Sequence, residues 1–329
     1  MKRRRTGLAR SEVQMQQESK KVAYAALAAN CLIALMKFAA GMWTGSSAML
    51  SEGIHSLVDS TNQVLLLYGI HRASRPADAA HPWGHGRELY FWSFIVALLI
   101  FALGAGLSFY EGIGRLRHPA PIELPLVNYA VLGASACFEA FSGFVAFRAF
   151  NDSRGNLRFW RAVTRSKDPT SFIILFEDSA ALAGIAIAAG GIFLAQQFDM
   201  PVFDPIASLA IAALLAATAA FLAREAKSLL IGEPALPAVR ESVRHIAALQ
   251  PGIEQVIDLA TIQLGPEQVI VALTLDLADD VRAADIERTV WAMEREIKQV
   301  HPEVVAVFVK PKTAMEPAPP RSDATCERL

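Results

Sequence analysis

The sequence predicts a membrane protein made of an all-α bundle of six spanning helices, followed by a small α+β domain of αββαβ order. The chain has 329 residues, of which 53% are hydrophobic and only 19% are charged. Soluble domains carry about 25% charged residues. Charge is concentrated at the two ends and in short loops, and the sequence between them is largely apolar. These observations favour a bundle buried in lipid with a separate polar domain.

Six apolar runs are long enough to cross a bilayer, which takes about 20 residues per helix. The first two runs are separated by so few residues that we expect a tight hairpin near Gly45. Asp204 and Pro205 are predicted to begin the sixth helix, as a cap with proline in the first turn. The runs are Val22–Trp43, Ser46–Ile70, Tyr90–Phe109, Leu126–Phe150, Phe172–Gln196 and Pro205–Leu222.

Lysine and arginine predict the orientation of the spans. Residues 1–21, the link after the second span and the link after the fourth span are rich in these cations, whereas the opposite side carries Arg115 and Arg117. Because short loops rich in lysine and arginine stay in the cytosol, both termini are expected there. The first run is too long for a signal peptide and no small-residue cleavage site follows it. We therefore expect a multi-pass protein of the cell (inner) membrane.

The sequence from about Glu225 onward has the composition of a soluble domain. In its second predicted strand, Val269, Val271, Leu273 and Leu275 alternate onto one face. Helices and strands are predicted in the order αββαβ, with helices covering one face of a small sheet. The predicted elements are helix Leu236–Gln250, strands Val256–Leu264 and Gln268–Leu277, helix Ala284–Val300 and strand Val304–Val309.

Four segments follow from these patterns. A basic cytosolic tail covers residues 1–21, and the six-helix transmembrane domain covers 22–224. The αββαβ domain covers 225–312, and we expect it to support dimerisation. Residues 313–329 are rich in proline, alanine and charge, which predicts a disordered tail.

Composition argues against several classes of site. A net charge of -1 gives no reason to expect a nucleic-acid partner. Cys31, Cys137 and Cys326 are too far apart in sequence to indicate a disulfide framework or a cysteine zinc site. No glycine-rich loop ends in Gly-Lys-Ser or Gly-Lys-Thr, so no ATP site is visible.

The second span contains the main chemical signal. His55 and Asp59 lie one helical turn apart on one face, and Glu52, Asn62 and Gln63 extend this polar stripe. Each ionisable group at the bilayer centre costs about 2.5–3.5 kcal/mol on insertion scales, so the stripe cannot face lipid. A histidine nitrogen and a carboxylate one turn away can both reach one metal ion at about 2.0–2.2 Å. The alternative is a hydrogen-bonded seam between helices.

The fourth and fifth spans supply further carboxylates. Glu177 and Asp178 are adjacent in an apolar run, and neighbouring residues point about 100° apart on a helix, so one of them can face the site squarely. Ile174, one turn before Asp178, cannot bind a metal. Glu139 lies in the middle of the fourth span, as a neighbour of the site or as an interhelix hydrogen-bond partner.

Three ordered segments of the sequence resemble the cation diffusion facilitator family. They are the second-helix segment Gly45–Asp59, the histidine-glycine segment His81–Arg87 and the junction Leu229–Glu233. Together with the topology, the resemblance covers about residues 20 to 312. It implies a homodimer that exchanges zinc or a related divalent ion for protons, at a tetrahedral site with two ligands from helix two and two from helix five.

Carried over residue by residue, the resemblance gives three ligands. His55 and Asp59 match the helix-two pair and Asp178 matches the second helix-five ligand, whereas the first helix-five ligand falls on Ile174. Glu177, Glu139 or water could supply the fourth ligand. Because the ligand set selects the ion, this departure affects the identity of the metal.

The loop containing Asp78, His81 and His85 is a second candidate metal site, which could capture zinc before transport. The alternative is that Gly84 and Gly86 shape a turn and the histidines cap the third helix.

The resulting hypothesis is a divalent metal exporter rather than an enzyme, with zinc as the first candidate and manganese, iron, cobalt or cadmium as alternatives. Metal ligands must lose their protons to bind, so metal and protons compete for the same atoms, and no tightly bound cofactor is expected. A non-transporting regulatory relative is the second hypothesis. A metal-dependent intramembrane hydrolase is the third, and it lacks a serine or cysteine nucleophile signature. His245 and His301 are far apart in sequence, which favours dimerisation over zinc sensing for the C-terminal domain.

Overall fold

The computed structural model describes residues 27–28, 30–119, 121–154 and 158–312. The basic tail 1–21, the beginning of the first predicted span and the tail 313–329 lie outside the described residues. The chain divides into two units, the first comprising residues up to Ser74 and Glu88–Lys227, and the second comprising Arg75–Arg87 and the residues from Ser228 onward. The loop that contains both candidate histidines therefore belongs to the second unit.

The first unit consists mainly of long helices, as the apolar runs predicted. A π-helical segment, Ile100–Ala105, joins α3 and α4 into one continuous helix, and π-helical segments often occur at functional sites. The helices are α1 (described over 30–44), α2 Ser47–Ala73, α3 Arg87–Leu99, α4 Gly106–Arg117, α5 Pro125–Ser153, α6 Phe159–Arg165, α7 Pro169–Gln197 and α8 Phe203–Ile231.

Among the described residues, four helices are long and apolar enough to cross a membrane: Arg87–Arg117, Pro125–Asp152, Pro169–Gln197 and Phe203–Ile231. Helix α2 has 27 residues and is therefore long enough to span, but its buried side chains include many polar ones. The number of six spans stays a prediction.

The N-terminus of α2 is fixed by an aspartate from another helix. Gly45 has φ +72, a conformation that glycine adopts without strain. It joins α1 to α2 in the hairpin that the sequence predicted. The Asp204 carboxylate, which is 3% exposed, accepts hydrogen bonds from Ser46 Oγ at 2.5 Å, Ser47 N at 2.6 Å and Ser47 Oγ at 2.8 Å. Helix α8 already begins at Phe203, so Asp204 caps α2 rather than its own helix.

The second unit has the αββαβ order that the sequence predicted. Strands β1 (Ile253–Gly265) and β2 (Gln268–Leu277) are antiparallel, and β3 (Val304–Pro311) pairs with β2 in parallel. A parallel pair needs a crossover, which is supplied by α10 (Ala283–Val300). Helix α9 (Pro237–Ala248) contributes to the same core.

The face of β2 that was predicted to be apolar forms the core of this unit. Val269, Val271, Leu273 and Leu275 are each at most 1% exposed and pack among residues of both helices. Strand periodicity therefore identified the correct face, because alternate side chains of a strand point to opposite sides of the sheet.

Candidate functional site: an acidic cavity between helices and a histidine loop

A polar cavity lies between α1, α2, α5 and α7 in the first unit. Its wall contains carboxylates, amides, one hydroxyl and one aliphatic side chain: Asn30, Ser56, Asp59, Gln63, Glu139, Ile174, Glu177 and Asp178. Acidic groups buried between apolar helices are costly unless they bind one another, water or an ion. The cavity is therefore the candidate cation site of the helical unit.

The pair from α2 reaches the cavity through Asp59. His55 Nδ1 lies 3.5 Å from Asp59 Oδ1, and the two side chains are 1% and 12% exposed. Within the described part of the chain, the two ring nitrogens of His55 have no hydrogen-bond partner, and Asp59 Oδ1 has none either. Buried polar atoms are almost always hydrogen-bonded, so these unpartnered donors and acceptors indicate a place for a further group.

Both acids of α7 are buried, at 5% for Glu177 and 8% for Asp178. Asn62 Nδ2 on α2 donates to Glu177 Oε1 at 2.7 Å, and Ser142 Oγ on α5 donates to Asp178 Oδ2 at 3.0 Å. Each carboxylate is thus tied to a different neighbouring helix. The sequence predicted that one of the two would face the site squarely, and the structure places both in the cavity wall.

Glu139, the remaining candidate, and the non-ligating Ile174 also line the cavity. Ile174 forms an apolar part of its wall, at the position where the family resemblance places a ligand. Glu139 on α5 is 6% exposed and lies in the same wall. Helix α5 thus contributes a carboxylate to the same cavity as helices α2 and α7.

Glu52 lies on the polar stripe of α2 but is engaged elsewhere. Its Oε2 pairs with Lys37 Nζ at 3.0 Å, and both side chains are fully buried. Lys37 also donates to Ser56 Oγ at 2.9 Å. A Cβ atom placed on Gly184 of α7 would come within 2.2 Å of Glu52 Oε1, so α7 packs directly against this carboxylate. Glu52 therefore belongs to a buried ion pair between α1 and α2.

The cavity carboxylates share a wall but do not converge. Among the described residues, the one group that brings three ligand atoms within 4.8 Å of one another is Asp78, His81 and His85. For one ion to bind three of the cavity side chains, those side chains have to move toward each other.

The loop triad already has a compact arrangement. His85 Nε2 lies 3.1 Å from Asp78 Oδ2, and His81 Nδ1 lies 3.4 Å from Asp78 Oδ1. The two imidazole rings are 4.2 Å apart between centroids. His85 is buried, whereas the other two side chains are exposed. Two imidazoles and one carboxylate match the ligand types that zinc prefers.

Backbone hydrogen bonds hold Asp78 in its ionised form. Its Oδ1 accepts from the backbone N–H of His81 at 2.7 Å and of Ala80 at 2.9 Å. These bonds, above all that from His81, together with the bond to His85, lower the pKa of Asp78 to about 2. The carboxylate of the triad is thus ready to bind a cation at any physiological pH.

A glycine lets this loop approach the sheet of its own unit. A Cβ on Gly86 would come within 2.9 Å of the Leu264 carbonyl oxygen and closer still to the Gln268 side chain. Gly84 has φ +83, which a residue with a side chain would rarely adopt. The glycines therefore do shape the loop, and the histidine rings point at Asp78.

A sequence profile for the cation efflux transmembrane domain matches residues 23–231, which is more than half of the chain. The chain belongs to the cation diffusion facilitator family. This cation diffusion facilitator is therefore a membrane protein of a metal-transporting family.

Relatives of this cation diffusion facilitator carry names that refer to metals. It is 36% identical over 240 residues to a mitochondrial proton-coupled zinc antiporter of Xenopus laevis, covering 72% of this chain and 43% of the relative. It is 35% identical over 220 residues to metal tolerance protein C4 of Arabidopsis thaliana, covering 66% of this chain and 48% of the relative. The chain thus spans less than half the length of these relatives.

A third relative matches over more of its own length. The magnetosome protein MamM of Paramagnetospirillum magneticum is 26% identical over 248 residues, covering 73% of this chain and 71% of that protein.

The sequence alone did not identify the hydrogen-bond partners of the site. Asn62 was placed on the polar stripe of α2, but its bond to Glu177 was not predicted. Ser142, which donates to Asp178, and Asn30, which lines the cavity, were not identified as site residues. The spacing of Ser142 from Glu139, three residues on one helix face, was the available signal.

Proposed function

We propose that this cation diffusion facilitator exports a divalent metal ion, with zinc the first candidate, in exchange for protons. The observation that carries the proposal is the buried cavity lined by carboxylates from α2, α5 and α7. A cavity with so many acidic oxygens inside a helical bundle attracts a cation, and the names of the relatives agree with zinc.

Protons are the natural counter-ion because they bind the same atoms as the metal. A carboxylate or imidazole must be deprotonated to bind a metal, so protons arriving from the far side displace the ion. Asp59 and Asp178 are the carboxylates for this exchange, with His55 and Glu177 as their neighbours. An inward proton gradient then drives metal outward.

Transport in proteoliposomes tests the proposal. The purified protein is reconstituted and the uptake of zinc, manganese, cobalt, cadmium and iron is measured with and without a proton gradient. We expect zinc flux that rises with the gradient and loses its uphill component when an ionophore collapses it. Uphill transport that persists without the gradient would refute proton exchange, and no flux of any metal would favour a non-transporting regulatory relative.

Two single substitutions test the cavity. Asp59→Ala and Asp178→Ala each remove a carboxylate from the wall, and we expect either to abolish flux while the protein stays folded. Ser135→Ala is the matched control, since Ser135 is buried on α5 but does not line the cavity. Near wild-type flux in either aspartate variant would contradict the assignment.

Ile174 tests the choice of metal. Because Ile174 lines the cavity, Ile174→His would place an imidazole in its wall. Imidazole suits zinc better than manganese, so the variant should shift selectivity toward zinc. An unchanged metal profile would mean that position 174 does not contact the ion.

The loop triad is proposed as a second metal site, which binds zinc on the cytosolic side. Its ligand types fit zinc and its three donors already lie close together. The double variant His81→Ala with His85→Ala should remove one equivalent of bound zinc, while Asp59→Ala should leave that equivalent in place. Loss of no zinc from the double variant would refute the loop site.

We further propose a homodimer in the cell (inner) membrane, with both termini in the cytosol. The asymmetry of lysine and arginine supports this orientation, and the C-terminal domain is the proposed dimerisation unit. Removing the residues after Gly232 should weaken dimerisation more than it changes metal preference. A truncated protein that stays dimeric at low concentration would contradict this role.

A further inference from the structure

The cavity wall has an apolar side chain at the position where the family resemblance implies a metal-binding residue. Ile174 occupies that position, and it lies in the wall together with Asp59 and Asp178. Helix α7 therefore offers no donor one turn before Asp178. The fourth donor can then come from Glu177, which follows on the same helix, or from a neighbouring helix that lines the same cavity.

Glu139 on α5 is favoured over Glu177, because Glu177 already accepts a hydrogen bond from Asn62. Glu139 lines the same cavity and is 6% exposed. Ser142 donates to Asp178 and Asn62 donates to Glu177, whereas no hydrogen bond or ion pair joins the Glu139 carboxylate to another residue in the described part of the chain. Its oxygens are thus not engaged by other side chains, and a cation in the cavity can reach them.

Asp59 provides a second, independent sign of a ligand at this place. Its Oδ1 is buried and lacks a hydrogen-bond partner among the described residues, and its side chain lies in the cavity wall. Two buried carboxylates with free oxygens therefore line one cavity from two different helices. The wall also contains the Ser56 hydroxyl and two amides, Asn30 and Gln63, which offer further oxygen atoms.

We propose that Glu139 binds the transported ion and forms, together with Asp59 and Asp178, a site of oxygen donors from three helices. Such a site accepts zinc and also ions that prefer oxygen ligands, such as manganese. The inference rests on the proposed function, namely that this cavity holds the transported ion. Carboxylates and carbonyl oxygens suit manganese, while imidazole favours zinc, so the donor set determines which ions are accepted.

Metal binding to the purified protein in detergent tests the inference separately from transport. The starting protein carries His81→Ala and His85→Ala, so that the loop triad does not contribute. Manganese and zinc are titrated by calorimetry into this protein and into derivatives carrying Glu139→Gln or Glu139→Asp. Glu111→Gln is the charge-matched control, since Glu111 lies on α4 outside the cavity and pairs with Arg115.

We expect Glu139→Gln to weaken manganese binding at least about tenfold, because changes around a metal site typically cost 10–100-fold in affinity. Zinc binding should weaken less, and Glu111→Gln should change neither. Equal affinities in the Glu139→Gln and starting proteins would overturn the proposal. If Glu139→Gln does not fold, Glu139→Asp decides, since a carboxylate moved by one methylene must alter the ratio of manganese to zinc affinity and an unaltered ratio overturns it.

Flux measurements distinguish a failure of the Glu139 assignment from a failure of the proposed function. If the starting protein transports metal and Glu139→Gln binds it unchanged, the proposed function stands and the role of Glu139 falls. If the starting protein binds manganese in a Glu139-dependent way but transports nothing in liposomes, the role of Glu139 stands and the proposed function falls.

Discussion

The buried pair of Lys37 and Glu52 allows a quantitative test of how the helical unit is held together. Both side chains are fully buried, with 3.0 Å between Lys37 Nζ and Glu52 Oε2. Removing one partner of a buried pair typically costs about 3–5 kcal/mol, because the other charge is left uncompensated, whereas replacing both partners is often close to neutral.

Three variants apply this reasoning: Lys37→Met, Glu52→Gln and the double variant. Lys37→Met keeps an unbranched side chain but strands the carboxylate, so we expect it to lose about 3–5 kcal/mol of unfolding free energy. At about 2–4 °C per kcal/mol, the melting temperature should fall by roughly 6–20 °C. The double variant should recover most of this loss, since no uncompensated charge remains.

Thermal unfolding in detergent, followed by tryptophan fluorescence, measures the effect. Ser135→Ala serves as the control for a buried polar group that lies outside this pair. A Lys37→Met protein that melts within about 2 °C of the wild type, a shift equivalent to about 1 kcal/mol or less, would contradict this expectation. A double variant that is no more stable than Lys37→Met would also refute it, because the two residues would then act independently.

Three further expectations follow from close contacts. Gly184→Ala should lower the melting temperature of the wild type, because the new methyl group displaces the Glu52 carboxylate from its ion pair with Lys37. The same substitution should lower the melting temperature of the Glu52→Gln variant by less, and an equal decrease in both proteins would argue against this. Asp204→Ala should lower the unfolding free energy by at least about 2 kcal/mol, since it removes charge-assisted hydrogen bonds to Ser47 at the start of α2, and an unchanged melting curve would contradict it. The pKa of Asp78 is lowered to about 2, so the contribution of its carboxylate to loop order should be present at pH 4 and lost as pH falls through about 2. Pepsin should therefore cleave the wild-type loop near pH 2 but not at pH 4, whereas it should cleave the loop of Asp78→Asn at both pH values.

Features that depend on local periodicity could be read from the sequence. The hairpin at Gly45, the αββαβ order and the buried face of β2 were predicted and are confirmed by the structure. Each follows from hydropathy, turn chemistry or side-chain alternation within about 10–20 residues, which a sequence displays directly. The same periodicity placed His55 and Asp59 on one face of α2.

The choice of partner for each polar side chain was decided only by the tertiary structure. Helical spacing placed Glu52 on the same stripe as Asp59, yet one pairs with Lys37 of α1 and the other lines the cavity. Likewise, Asp204 reads as a cap for α8 but caps α2, and Glu139 could have faced any neighbouring helix. A helix fixes the angle between its own side chains to about 100° per residue, but the rotation of the whole helix against its neighbours is set by packing between distant parts of the chain. The sequence therefore determined which residues could form the proposed cation site, and the packing of α1, α2, α5 and α7 determined which of them share one cavity.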